Sequence, residues 1–358
     1  MSITKQHLPE IVAAIDLGSN SFHMIVARLE ESGTLSVIDR LRESVRLGGG
    51  LDAKKLISEE AQERAFECLE TFAQRIRDLP NSAVRIAGTN TLRVAKNAKE
   101  FVEKAEAILD HPIEIIAGRE EARLIYLGVA HGLAIGEGKR LVVDIGGGST
   151  EFIIGQGMSP IRRESLYTGC VSSSRRFFED GKITRKAMRA AVLDSRLTLL
   201  PHARDFKADR WDEAIGCSGT IKAIANIVHA EGWCLDGITY KSLKKLRDAL
   251  IEQKYTDKLD LAGLSENRKP VIAGGLAVLL AIFNTLKIEQ MQVSEQSMRE
   301  GLLYDLVGRI THHDVRDATI EAYISRWGVD LEQAQRVTDT VERLCNKACE
   351  HNTEEVEQ

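Results

Sequence analysis

The chain has 358 residues, of which 43% are hydrophobic and 28% charged, with a formal net charge of −5. This length predicts about two to three domains with cores of their own, and the composition excludes a largely disordered chain. The acidic balance argues against generic nucleic-acid binding through a basic surface.

A local basic groove stays open at Arg162 and Arg163, Arg175 and Arg176, Arg185 and Lys186, or Lys241 to Arg247, each of which also reads as a solvated face. The six cysteines show no CxxC pair and no zinc spacing; Cys345 and Cys349, near His351, lack a fourth ligand. Reduced thiols in a cytosolic protein are therefore expected. Met1 to Glu10 is polar and has no signal-peptide core.

In chain order, Ile11 to Ile15 is an apolar run that enters Asp16 Leu17 Gly18 Ser19 Asn20 Ser21 and returns as Phe22 to Leu29, which predicts a hairpin. Leu47 to Leu51 is a glycine-rich loop. Ser58 Glu59 Glu60 opens an amphipathic helix running to about Leu79, with an acidic first turn but no full capping box, and Pro80 ends it. A strand at Val84 to Ala87 turns at Gly88 to Thr91 just before Arg93. A helix at Ala98 to Leu109 and a strand at Ile113 to Ile116 complete an alternating pattern. A domain boundary is placed at Gly118 to Leu124.

The second half repeats this plan. Leu141 Val142 Val143 enters Asp144 Ile145 Gly146 Gly147 Gly148 Ser149 and returns through Phe152 to Ile154. A helical stretch follows from about Ser173, then a strand at Glu213 to Ile215, a glycine turn at Gly216 to Thr220, and a helix from about Ile221. Val271 to Phe283 is too short to span a bilayer and predicts a buried helix, in which Gly274 and Gly275 serve close packing. A last strand ends at Val293, before the capping box Ser297 to Glu300. Beyond Thr311, Val315 to Trp327 and Leu331 to Cys349 predict two helices, the second with an apolar stripe that needs a partner.

Taken singly, either acid-and-glycine turn is an ordinary hairpin turn. Their duplication in one strand-to-turn context argues for more. Glycines let the backbone approach an anion with its N–H groups, so two such turns predict a cleft that grips a phosphate from both sides, beside a metal. Gly216 to Thr220, at a strand end and helix start, is either a third anion contact or a plain connection.

The segments Asp16 to His23, Gly88 to Arg93, Gly118 to Leu124, Asp144 to Glu151, Gly169 to Ser172, Gly216 to Thr220 and Arg299 Glu300 Gly301 together resemble the exopolyphosphatase and guanosine pentaphosphate phosphohydrolase family, nearer its exopolyphosphatase branch. The resemblance covers about Ile11 to Gly308. It implies an α/β, duplicated ribonuclease-H-like fold of two lobes, shared with actin, sugar kinases and heat-shock chaperones, with a short helical C-terminal tail. The implied domains are residues 1–124, 125–310 and 311–358, the last with two readings open: a tail packed on the second lobe or a partner chain, or the start of a third, helical domain that continues in a longer protein.

The implied activity is metal-dependent release of orthophosphate from the end of inorganic polyphosphate. The alternative is removal of the 5′-γ-phosphate of guanosine pentaphosphate. An ATP-dependent kinase on the same scaffold, or a module that binds guanosine tetraphosphate without turnover, are further alternatives. By resemblance Glu121 is the general base, with Glu120 its competitor; Asp144 and Glu151 hold Mg²⁺ or another hard divalent ion, assisted by Asp16 through water. The phosphoryl oxygens fall to Gly18, Ser19, Asn20, Ser21, Arg93, Gly146, Gly147, Gly148, Ser149, Thr150, Gly219 and Thr220.

For Arg93 a surface salt bridge is the competing reading, and for His23 a satisfied strand histidine. Ser165 to Thr168 stands where some family members carry arginines, so contacts to a long chain are assigned to Arg162, Arg163, Lys222 and Arg268. A homodimer, a cytoplasmic location with peripheral inner-membrane association as an option, and no transmembrane segment complete the expectations.

Overall fold

The computed structural model describes residues 9–30, 35–133 and 138–311, with scattered positions between 330 and 343. It divides into the units Met1–Ile310 and Thr311–Gln358. The expected helix at 315–327 lies outside the described residues. Of the one expected at 331–349, only positions among 332–343 are described, and those are helical.

The first unit carries two mixed sheets. In the first lobe β1 (Ile11–Leu17), β2 (Phe22–Leu29) and β3 (Leu35–Glu43) form an antiparallel meander, and β4 (Val84–Gly88) and β5 (Ile113–Ile115) add in parallel on the far side of β1, giving the order β3-β2-β1-β4-β5. Between them run α1 (Glu59–Ile76), the short α2 (Asn90–Val94) and α3 (Ala98–Leu109). Ser58 caps α1 by accepting from the Ala61 N–H at 3.4 Å.

After α4 (Gly118–Gly132) the same path is drawn again by β6 (Lys139–Ile145), β7 (Thr150–Gln156), β8 (Ser159–Leu166), β9 (Glu213–Cys217) and β11 (Gln290–Val293), with the two-residue β10 (Ile238–Thr239) added antiparallel at the edge. Its helices are α5 (Cys170–Phe177), α6 (Arg185–Leu199), α7 (Ser218–Ala230), α8 (Tyr240–Gln253), α9 (Lys269–Leu286) and α10 (Met298–Thr311). One sheet path used twice is the duplicated ribonuclease-H-like fold. Each central strand is apolar on both faces, as a strand covered on both sides must be.

Three apolar clusters hold the unit together. One lies against each lobe's outer helices, and the third joins the inner faces of both sheets, where Val12, Ile25, Val142 and Ile153 meet Leu124, Val129 and Leu302 of α4 and α10. Those two helices cross closely at paired glycines: a Cβ on Gly301 would stand 1.8 Å from the Leu124 carbonyl oxygen, and one on Gly128 would stand 2.0 Å from that of Ser297. The apolar segment Glu266–Leu286 is, among the described residues, the one helix long and apolar enough to cross a membrane, and 78% of its apolar window is buried in the second lobe.

Besides α8 and β10, which the sequence reading does not foresee, three features differ from expectation. The edge strands β3 and β8 were not foreseen: most of their residues are not buried, so no alternating apolar pattern marks them. The turn after β4 closes into α2. The boundary expected at 124/125 falls inside α4, whose buried residues on both sides of that point belong to the cluster between the sheets.

Candidate active site

The two acid-and-glycine turns face each other at the floor of a cleft of about 210 Å³ between the lobes. They touch: a Cβ on Gly147 would come within 2.8 Å of the Ser19 Cβ, so this approach needs a residue without a side chain. The cleft is lined by Asp16, Gly18, Ser19, Asn20 and Ser21 from the first turn and by Asp144, Gly146, Gly147 and Ser149 from the second, with Gly219 and Thr220 at the start of α7. Glu121, in the first turn of α4, opens onto the same space.

Four sequence-assigned residues are not on the cleft wall. Gly148 packs against Asn90, where a Cβ would meet Oδ1 at 2.3 Å. Thr150 is fully buried and donates to the Thr168 carbonyl at 2.6 Å. Glu151, 1% exposed, accepts from the Ser165 hydroxyl at 2.8 Å; it pairs directly with Asp144 across β6 and β7, so the two carboxylates leave the sheet on the same face. Arg93 stands behind Glu121: its Nη1 donates to Glu121 Oε2 at 2.7 Å and to the Ile116 carbonyl at 2.9 Å. It is a partner of the acid, not a surface salt bridge.

The acids differ in their surroundings. Asp144 Oδ2 accepts from the hydroxyls of Ser218 and Ser297, the latter at 2.9 Å, and from the Cys217 thiol at 3.4 Å. Ser218 reaches it from a left-handed backbone (φ 66°) at the start of α7, a conformation uncommon for a residue with a Cβ. The Ser297 to Glu300 capping box is only half used as expected: the Glu300 carboxylate accepts from the Ser297 N–H at 3.0 Å, but the Ser297 hydroxyl goes to Asp144. Asp16 Oδ1 is buried with no partner.

Burial raises the pKa of all four acids, opposed at Asp144 by its three donors and reinforced at Asp16 and Glu151 by neighbouring carboxylates. Glu121 is pushed up to about 7 by burial, against the pull of Arg93. Glu120 instead holds Arg123 through two bonds of 2.9 and 2.7 Å.

Among the described residues no three His, Cys, Asp or Glu side chains converge as a ready-made metal cluster. Mg²⁺ needs none, since it keeps several waters and takes one or two carboxylates plus phosphate oxygens. The unpartnered Asp16 oxygen and the mutually repelling acids fit such an ion, with Asp16 and Asp144 on the cleft wall and Glu151 beside Asp144 in the strand register.

The cleft mouth is basic. Arg42, Lys222, Arg268 and Arg299 line it with His23. Burial and these charges push the His23 pKa down to about 3, so it is neutral, and its Nδ1 lies 3.2 Å from Arg299 Nη1. Lys222 pairs with Glu295 at 2.9 Å, whereas the buried Arg268 feels the charge of Arg42 and rests against Gly219. Arg162, by contrast, pairs with Asp205 on the outer edge. The reading along the chain did not single out Arg42, Asn90 or Ser297 as cleft residues. Arg42 sits on the unforeseen β3, opposite His23, and that register is the signal that would have found it.

Two lobes of one topology, each presenting an acid-and-glycine turn to the other, define a phosphoryl-handling protein of the actin and sugar-kinase architecture, here with a buried carboxylate at the junction. The chain belongs to the Ppx/GppA phosphatase family, whose sequence profile matches residues 25–310. The guanosine-5'-triphosphate,3'-diphosphate pyrophosphatase of Pseudoalteromonas atlantica is 40% identical over 348 residues, 97% of this chain and 69% of that protein. The Aliivibrio fischeri (strain MJ11) protein of the same name is 42% identical over 332 residues, covering 93% and 66%. The chain thus spans about two thirds of the length of these curated relatives. The crystal structure of the Aquifex aeolicus family member superposes with a TM-score of 0.69 at 26% identity, over 85% of this chain and 99% of that one.

Proposed function

We propose that the chain hydrolyses the terminal 5′ phosphoanhydride of guanosine pentaphosphate, releasing orthophosphate and guanosine tetraphosphate. The observation that carries the hydrolytic step is Glu121: a buried carboxylate with a pKa near 7, oriented by Arg93 beside two phosphate turns. A base poised near the working pH is the most effective one. The names of the relatives at about 40% identity support the pentaphosphate as substrate ahead of polyphosphate, the reverse of the order taken from sequence motifs alone.

In this reading the backbone N–H groups of the two turns, with Ser19 and Ser149, hold the terminal phosphoryl oxygens. Glu121 takes a proton from water as the water oxygen bonds to the terminal phosphorus, and the bond from that phosphorus to the bridging oxygen breaks. Arg93 keeps the carboxylate aimed, and Arg42, Lys222, Arg268 and Arg299 meet the remaining phosphates. Asp144 and Asp16 would hold Mg²⁺, which supplies charge neutralisation on the phosphoryl oxygens.

The same basic mouth suits any long polyanion, which keeps inorganic polyphosphate as the second reading. Phosphate release from guanosine pentaphosphate and from long polyphosphate, each with Mg²⁺, separates the two. The expected result is a higher kcat/KM for the pentaphosphate. A higher value for polyphosphate reverses the assignment, and no release from either sinks the enzyme reading and leaves a nucleotide-binding module.

A further inference from the structure

Helix α10 touches both halves of the catalytic centre: its first turn borders the cleft at Met298 and Arg299, and the rest of it runs outside. At its start the Ser297 hydroxyl donates to Asp144 Oδ2 and lies 3.0 Å from the Ser218 hydroxyl, which holds the same carboxylate. Eight residues further on, about 12 Å along a helix axis, Asp305 accepts from Arg85 of β4 and from Arg123 of α4. Arg123 lies two residues after Glu121, and its guanidinium also takes both oxygens of Glu120, so the first turn of α4 is fastened to α10 through one fork. Between these ends the helices meet at Gly128 and Gly301, and His131 stacks on Tyr304 with ring centroids 3.7 Å apart.

The cations around Asp305 hold its carboxyl below the usual range in spite of burial. It is 12% exposed, and Arg85 only 3%, so this network is shielded from water, and removing one partner leaves a buried charge uncompensated. Arg309, 54% exposed, adds a third bond of 2.8 Å from the solvent side.

We propose that α10 is a strut that fixes the separation between Glu121 and Asp144, with Asp305 as the positioning residue at the Glu121 end. The proposal rests on the reading of Glu121 as the base. Displacements of about 1 Å cost up to about a hundredfold in rate when a reacting group must be aligned, so a residue outside the cleft can govern turnover.

Asp305→Asn is expected to lower kcat about tenfold or more with KM within about twofold, and Asp305→Glu, which keeps the charge, to restore most of it. Arg309→Ala should leave both constants unchanged. Amide exchange in residues 118–124 should accelerate in Asp305→Asn while that of β6 does not. Should Asp305→Asn fail to fold, Arg123→Lys, which keeps one charge but loses the fork, is expected to show the same split. Wild-type kcat in a folded Asp305→Asn protein, or KM rising as kcat falls, would overturn the strut. Full turnover in Glu121→Gln would instead overturn the base assignment, and the exchange measurement would still judge the strut.

Discussion

The two acid-and-glycine turns share their topology and differ in how each acid is held. In the second lobe Asp144 accepts from two hydroxyls and a thiol brought by α7, β9 and the residue before α10. In the first lobe Asp16 has a buried oxygen with no partner, and the turn is steadied by neutral groups, Thr91 donating to Ser19 at 2.7 Å and the Gly48 N–H to the Ser19 carbonyl at 2.7 Å. A duplicated hairpin therefore supplies one acid already compensated by the protein and one that still needs a positive charge. Neither copy supplies the proposed base, Glu121, which comes from the helix linking them.

The largest effect expected concerns that base. Glu121→Gln should lower turnover by about two to four orders of magnitude. If either turn acid proved equally able to act as base, the loss would be far smaller. The acids themselves should separate next. In metal-free protein Asp16→Asn should raise the melting temperature, because it removes a buried carboxylate that has no donor for one oxygen. Asp144→Asn should not raise it, since it sets an amide among groups that donate to a carboxylate. Both should weaken the stabilisation by added Mg²⁺. Equal melting shifts in the two variants would erase the asymmetry.

pH sharpens the same contrast. The profile of kcat/KM should rise with pH through about 7 as Glu121 loses its proton, and Arg93→Gln should move that limb upward, because Arg93 favours the charged form. Stability runs the other way. Glu121 has a folded pKa of about 7 against an ordinary value of 4.5, so its contribution is fully present below about 4.5 and is lost as pH rises to 7. Denaturant midpoints of metal-free protein should fall across that window, and Glu121→Gln should flatten the fall. A midpoint independent of pH in the wild type would remove the raised pKa.

Much of this was legible in the sequence because the central strands are continuous apolar runs and the turns are repeated. Ile11 to Leu29 and Leu141 to Ile154 fix the hairpins, and Asp16, Asp144, Glu121 and most turn residues do line one cleft. What was not legible depends on edges and on direction. β3 and β8 bury little, so they leave no periodic signal, and Arg42 was missed with β3. Glu151 lies seven residues after Asp144 and pairs with it across the hairpin, so the two carboxylates are neighbours as the sequence suggested; what the sequence did not tell is that Glu151 is buried on Ser165 and off the cleft wall. Arg93 was placed on phosphate because a cation near a turn suggests an anion; the anion it meets is Glu121.

The smallest effect tests the neutral support of the first turn. Thr91 and Ser19 are both buried, and their 2.7 Å bond gives the Thr91 hydroxyl its acceptor and steadies Ser19 at the cleft floor. Thr91→Val keeps the shape and removes the donor, leaving Ser19 without its partner at a cost of about 1–2 kcal/mol. In a unit of this size that lowers the melting temperature by a few degrees. Ser19 would still face the phosphate, so KM should rise only a few-fold, with kcat nearly unchanged. A loss in kcat as large as that of the Asp144 variant would mean that the first turn aligns the reaction as strictly as the second, and the division between a compensated and an uncompensated lobe would fail.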